Sequence, residues 1–296
     1  MNVSDQMPNM RSLLPTFRTA LESFASSTSS FQILRSVPPT ASNPPKTLYV
    51  LDSSFNPPTR AHLHIAVTAI LNDEKARIEP VKRLLLLLAT QNADKAPKPA
   101  SFEQRLIMMS IFAEDLVRSV QEELHDNQEG AKGLVVEVGV IKSPLYLDKT
   151  AVIEQSGQYG EANGGPEQVH LTGFDSLIRL LDTKYYPPHH TLHPLEAIFS
   201  KHRIRVTKRT GDKWGGRGEQ DAYLKTLANG ERENEGAKRE WVTKIDLVDN
   251  RSENEEIISS TKVRNAVKDG DSQALSRLVT DGVKDWILEQ KLYLDE

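Results

Sequence analysis

Six short apolar runs punctuate the chain, and helical patterns fill the intervals between them. The runs are Thr47–Leu51, Arg83–Ala89, Leu134–Val140, Gln168–Thr172, Arg203–Thr207 and Lys244–Val248. They are rich in Val, Ile and Leu. Several lack strict polar alternation, as strands do when crossover helices cover both of their faces. Helical spacing marks Arg60–Asn72, Phe102–Glu123, Asp175–Leu181 and Leu192–Ser200, then Thr261–Lys268, Ser272–Leu278 and Val283–Gln290. Such alternation predicts an α/β chain built on a doubly wound parallel sheet. Ligands of such sheets bind beyond the carboxyl ends of the strands. The turn that leaves the first strand is therefore a privileged place.

A length of 296 residues suits one large domain or two small ones. We expect an N-terminal helix and linker over 1–46 and a single domain over 47–296, with insertions near 156–168 and 211–238. Met10 to Phe31 carries Arg11, Arg18 and many serines in an amphipathic pattern, but Asp5 and Glu22 argue against a transit peptide. A helix leading into the fold is the plainer reading. The net charge of −4 points to no general nucleic-acid surface and no anionic membrane. The longest apolar run, Leu84–Ala89, suits a buried strand and not a membrane span. The absence of cysteine excludes disulfides and thiolate–zinc sites. The expectation is an intracellular protein, cytoplasmic or nuclear, with no nucleic-acid or membrane partner. His189, His190 and His193 have no further ligand spaced to complete a metal site, and a Pro-rich loop is the better account of them. Leu275, Leu278, Val283, Trp286 and Ile287 recur at near-helical spacing and belong in a core.

Residues 51–66 read LDSSFNPPTRAHLHIA. The first strand ends here, a polar turn with two prolines follows, and a helix begins. A turn of this kind points backbone N–H groups at whatever sits above the sheet, and phosphate is the natural occupant. Pro57 and Pro58 stiffen the turn. Thr59 is placed to cap the helix. His62, one turn in, faces the same space and can donate to a phosphoryl oxygen. Taken alone, His62 is no more than a polar residue on a helix.

A second stretch changes that balance. Residues 257–267, IISSTKVRNAV, open another helix with three hydroxyls. Ser259, Ser260 and Thr261 can cap it and offer donors to an anion, while Lys262 and Arg264 add charge.

Together these stretches resemble a known family. Ser54-Phe55-Asn56-Pro57-Pro58-Thr59-Arg60-Ala61-His62-Leu63 is similar to the G-S-F-N-P-x-T-x-x-H-L signature of nicotinamide mononucleotide adenylyltransferases, their form of the HxGH motif of the nucleotidylyltransferase superfamily. Ile258–Arg264 resembles the family's I-S-S-T-x-[IV]-R. Thr172-Gly173-Phe174-Asp175 resembles its G-x-D, Arg209-Thr210-Gly211 its R-x-G, and Lys95 a lysine near the ATP phosphates. The pattern runs in family order from about residue 47 to 268 and is closest to a divergent fungal-type branch.

The resemblance implies a Rossmann-like nucleotidylyltransferase fold and transfer of AMP from ATP to nicotinamide mononucleotide, giving NAD and pyrophosphate. The nucleophile is already a phosphate anion, so no general base is needed. Catalysis then consists of alignment and charge stabilisation. The implied catalytic residues are His62 and Arg264. Ser54, Phe55, Thr59, Lys95, Arg209, Ser259, Ser260, Thr261 and Lys262 join them around ATP. Gly173, Asp175 and Tyr146 are the implied acceptor residues. Magnesium is expected to be carried by ATP, with no metal site on the protein, and a homo-oligomer or a protein partner is compatible with the family. Two departures stand out. The family's opening glycine is Ser53 here, and the tryptophans the family carries after its third strand are absent from Val140–Thr150, where Tyr146 stands. They leave open a nucleotidylyltransferase with another acceptor, or an ATP-binding or ATP-hydrolysing regulatory protein.

Overall fold

The fold is described from a computed structural model that covers residues 3–39, 44–74, 82–91, 99–124, 133–160, 165–209, 215–249 and 258–294. Its centre is a seven-stranded, mostly parallel sheet with flanking helices, in the order β1-β4-β3-β2-β5-β6-β7. The strands are β1 (Phe31–Val37), β2 (Thr47–Asp52), β3 (Lys82–Ala89), β4 (Leu134–Ile141), β5 (Glu167–Gly173), β6 (Arg203–Thr207) and β7 (Ile245–Val248). Six of these are the six apolar runs of the sequence, with ends moved by a residue or so. By its internal contacts the chain divides into two compact units.

The first unit comprises Met1–Pro45, Leu51–Pro144 and Ile258–Glu296. All eight residues of β3 and all eight of β4 are buried. They pair in parallel, Leu84 opposite Val136 and Leu88 opposite Val140. Two charges in these strands neutralise one another: Arg83 Nη1 lies 3.2 Å from Glu137 Oε1. Gly139 is a close approach, because a Cβ there would stand 2.9 Å from Leu85 Cδ1 and 3.1 Å from the Phe31 ring. The helices of this unit are α1 (Val3–Ser26), α2 (Arg60–Asn72), α3 (Phe102–Glu123), α8 (Ser260–Lys268), α9 (Ser272–Leu278) and α10 (Asp281–Glu289). Met10, Phe17 and Phe24 recur at intervals of two helical turns and are buried, which seats α1. Leu275, Leu278, Val283, Trp286 and Ile287 are buried as their spacing required.

One strand departs from the expected parallel sheet. The segment read as part of a helix and linker contains β1, which pairs antiparallel with β4, Phe31 opposite Ile141 and Val37 opposite Val136. Only Phe31 of its seven residues is buried. Its apolar residues, Phe31, Ile33, Leu34 and Val37, are interrupted by Gln32, Arg35 and Ser36 and follow a serine run, so the segment does not read as a continuous apolar strand. Its Arg35 pairs with Glu114 of α3 at 2.5 Å, which favours this placement but is invisible in sequence.

The second unit comprises Lys46–Val50 and Leu145–Ile257. It carries α4 (Tyr146–Gln155), α5 (Phe174–Leu180), α6 (Glu196–Phe199) and α7 (Arg217–Ala228). Here β5 pairs β6 and β6 pairs β7, all in parallel. Its core gathers Phe174, Leu177, Phe199, Val206, Leu227 and Trp241. Trp241 stacks on Phe199 with ring centroids 4.9 Å apart. The polar stretch near 211–238 therefore supplies part of this core, through Leu227 and Ala237. Among the described residues no helix is long and apolar enough to cross a membrane.

Two buried histidines make this unit sensitive to acid. His170 of β5 has its Nε2 3.0 Å from Thr150 Oγ1, and His202 Nδ1 accepts from the Gln168 N–H at 3.0 Å. Burial, aided by the neighbouring His202 and Lys149, lowers the pKa of His170 to about 3. Burial also lowers that of His202 to about 4, against the attraction of Glu154. Both rings are neutral when folded, whereas the unfolded chain takes protons near the ordinary value of 6.5. Stability is therefore fully present above pH 6.5 and falls as the pH drops from 6.5 toward 4. The limiting slope is about 1.4 kcal/mol per pH unit for each ring. Denaturant melts between pH 7 and pH 4 should show this decline, and His170→Gln should make it shallower.

Candidate functional site

The turn after β2 is held from several sides. Ser53 prolongs the strand, its N–H donating to the Leu87 carbonyl at 3.2 Å. Ser54 is exposed, while Phe55 through Thr59 are buried. Phe55 takes a φ of +44°, a left-handed conformation that costs a non-glycine residue energy. Its fully buried ring gives something back, lying 5.3 Å from the ring of His62 at a tilt of 42°. The Asn56 side chain is anchored too. Its Oδ1 accepts from Tyr293 Oη at 2.9 Å and from the Ala100 N–H at 3.3 Å.

Thr59 caps α2 as the sequence indicated. The partner in this cap is His62 at the third helical position. Thr59 directs its N–H (3.0 Å) and its hydroxyl (2.8 Å) at His62 Nδ1. The other ring nitrogen, Nε2, lies 3.0 Å from Ser53 Oγ.

The second motif begins α8 beside this turn. Ser259 is its N-cap and accepts from the Lys262 N–H at 3.3 Å. Ser260 Oγ donates to the Pro57 carbonyl at 2.9 Å, across 203 positions of sequence. Arg264 Nη1 donates to the Asn56 carbonyl at 2.9 Å, across 208 positions, and Nη2 reaches Thr261 Oγ1 at 3.3 Å. Arg60 reinforces the join, its Nε 3.3 Å from the Ser276 carbonyl in α9. The structure thus gives Ser260 and Arg264 a task the sequence did not disclose, which is to hold the turn.

These bonds bring two helix starts together in the first unit. Each start carries N–H groups that have no partner within the helix and a positive dipole end. Arg264 adds a half-buried guanidinium, and Arg105 of α3 a buried one that donates to the Ala100 carbonyl at 2.9 Å. Burial lowers the pKa of Arg105; Tyr293 opposes the shift and the charge on Arg264 adds to it. Two guanidinium groups that repel one another beside two helix starts suit a polyanion.

The second unit assembles the other expected residues. Tyr146 opens α4, its hydroxyl 3.3 Å from Thr172 Oγ1 and its ring edge-on to His170 at 5.8 Å. Gly173 ends β5 and caps α5, whose first turn holds Asp175. Asp175 Oδ1 pairs with Arg209 Nη1 at 3.2 Å, which joins the G-x-D and R-x-G stretches. Gly173 leaves room for this pair: a Cβ there would stand 2.8 Å from Asp175 Oδ1. Gln220 of α7 sets the backbone of Arg209, accepting from its N–H at 3.2 Å and donating to its carbonyl. Lys95, Thr210 and Gly211 lie outside the described residues.

Ser53, Asn56, Tyr293 and Gln220 were absent from the sequence-based site. Ser53 carried a signal as the residue in place of a glycine, and Asn56 as the asparagine of the resembled signature. Among the described residues, no group of three or more His, Asp or Glu side chains is arranged to hold a metal ion.

The hold of Ser260 on the turn can be measured. Ser260→Ala should cost about 0.5–1.5 kcal/mol of stability in denaturant unfolding, the net worth of one hydrogen bond. An unchanged midpoint would mean that the Ser260–Pro57 bond does not hold the turn.

No family model matches the chain. A Schizosaccharomyces pombe protein named "Putative nicotinamide mononucleotide adenylyltransferase" is 32% identical over 234 residues, covering 79% of this chain and 81% of that protein. Among solved structures, a Plasmodium falciparum nicotinic acid mononucleotide adenylyltransferase complexed with APC is 12% identical, with a TM-score of 0.49 over 84% of this chain and 97% of that one. The same enzyme complexed with NaAD is 13% identical, with the same TM-score and coverage.

Proposed function

The chain belongs to the nicotinamide mononucleotide adenylyltransferase family, and from that premise we propose that it transfers the adenylyl group of ATP to nicotinamide mononucleotide, giving NAD and pyrophosphate. The relative at 32% identity, aligned over four-fifths of both chains, carries this reading. The joined helix starts of the first unit support it, because the reaction needs a polyphosphate held and its developing charge met.

In this account the 5′-phosphate oxygen of the acceptor attacks the α-phosphorus of ATP. A new P–O bond forms, the bond to the β-phosphate oxygen breaks, and pyrophosphate leaves with the electron pair. His62 donates through Nε2 to the triphosphate. Arg264 keeps one arm on Asn56 and turns positive charge toward the same oxygens. The amides at the start of α8, with Thr261 and Lys262, hold the leaving side. Ser54, Phe55 and Thr59 supply the backbone of the turn, and Lys95 neutralises further charge. In the second unit, Gly173, Asp175 and Tyr146 serve the acceptor nucleotide, and Arg209, tied to Asp175, serves ATP.

Magnesium enters with ATP. Its ligands would be triphosphate oxygens and water, since the polar side chains of the turn and of α8 are hydroxyls, amides and cations, with no carboxylate. When bound, it neutralises phosphate charge.

The departure at Tyr146 bears on the acceptor. Its ring meets the edge of His170 and its hydroxyl meets Thr172, so this side chain is engaged where the family offers tryptophans. The test is therefore a product assay. ATP, magnesium and nicotinamide mononucleotide should yield NAD and pyrophosphate in equal amounts. His62→Ala should lower kcat by about 10²–10³-fold, the usual cost of one charge-stabilising donor. Adenylylation of a different mononucleotide would move the acceptor assignment, and release of ADP alone would replace the transferase reading with hydrolysis.

A further inference from the structure

Ser53 stands where the motif it resembles carries glycine, and it meets the one histidine on which the proposed chemistry depends. The geometry determines how. A backbone amide is a donor only, so the Thr59 N–H, 3.0 Å from His62 Nδ1, requires a lone pair on that nitrogen. The proton of the neutral ring is then on Nε2. That N–H lies 3.0 Å from Ser53 Oγ, an ordinary hydrogen-bond length, so it donates to the serine.

We propose that Ser53 acts through His62: its hydroxyl holds the His62 Nε2 proton in the ligand-free protein and competes with phosphate for it. This inference rests on the reading of His62 as a donor to ATP. The backbone of Ser53 is held to the sheet, its own N–H donating to the Leu87 carbonyl at 3.2 Å. The serine also adds little to the orientation of the ring. Thr59 already grips Nδ1 through two groups, and the Phe55 ring lies alongside at 5.3 Å. What the hydroxyl adds is an acceptor that an incoming anion must displace. A charged phosphate oxygen forms the stronger bond and displaces it. A weakly charged or poorly placed ligand gains less from the exchange. The serine therefore raises the threshold for occupying this site, and glycine at the same place would not.

Two readings test the proposal, one of them without turnover. In two-bond ¹H–¹⁵N spectra of the ligand-free full chain, the His62 ring should carry its proton on Nε2 and none on Nδ1. A proton on Nδ1 would overturn the assignment. In calorimetry with α,β-methylene-ATP and magnesium, Ser53→Ala and Ser53→Gly should bind roughly 3- to 10-fold more tightly than wild type, the range of one net hydrogen bond. Ser53→Thr, which keeps the hydroxyl, should return to the wild-type value. The KM for ATP should follow the same order, with the KM of the acceptor unmoved. Unchanged or weaker binding in both Ser53→Ala and Ser53→Gly would overturn the competition. If wild type binds the analogue yet makes no dinucleotide, the adenylyl-transfer reading fails while the role of Ser53 is still decided by the spectra and the affinities. If the analogue does not bind, His62 is not a donor to ATP and the competition falls with that reading.

Discussion

Two carbonyl groups in the turn after β2, those of Asn56 and Pro57, accept hydrogen bonds from Arg264 and Ser260 more than 200 positions later. The arrangement of the first unit around its site depends on this join. A turn of this shape has little to keep it in place by itself. Its Phe55 is in a left-handed conformation and its prolines cannot donate. The join secures the turn and sets the start of α8 beside that of α2. Tyr293, near the end of the chain, closes the same network through Asn56. Leu87 of β3, Ala100 ahead of α3, α8 and the C-terminal segment therefore converge on one turn. The cost of ordering them is shared by contacts that also build the core.

Much of this was legible in the sequence, for identifiable reasons. β3 and β4 are buried over their whole lengths, so they read as continuous apolar runs. α2 and α3 span the residues their helical spacing marks, and Thr59 stands at the cap of α2. The two anion-ready helix starts were visible as clusters of hydroxyls and basic residues. Their order along the chain carried the family resemblance, which the 32% identical relative supports.

The rest was hidden because it depends on contacts distant in sequence. β1 is an edge strand with one buried residue, and its antiparallel pairing is decided by β4 and α3. The amide of Gln220 looks like any polar residue on a helix, and only the folded chain brings it to the backbone of Arg209. Residues chosen as phosphate ligands also proved to have structural tasks. Ser259 caps α8, Ser260 ties down Pro57, and Arg264 spends one arm on Asn56. A motif lists residue types and spacing, but it does not apportion them between holding the site and touching the ligand. Ser53 shows the converse. The sequence marks it only as a serine in place of the family's glycine, whereas its hydroxyl meets His62 Nε2.

The electrostatic design follows from the same join. The turn and α8 present N–H groups, hydroxyls and guanidinium groups, with Arg105 buried behind them. Groups fixed in this way stabilise negative charge without having to reorganise during reaction. The central claim is that the join between the two motifs makes the triphosphate site. A crystal structure with α,β-methylene-ATP and magnesium tests it most directly. The account predicts triphosphate oxygens within hydrogen-bond distance of His62 Nε2 and of the first amides of α8, with Arg264 still bonded to the Asn56 carbonyl. A triphosphate bound out of reach of both, or an Arg264 released from the turn, would contradict it.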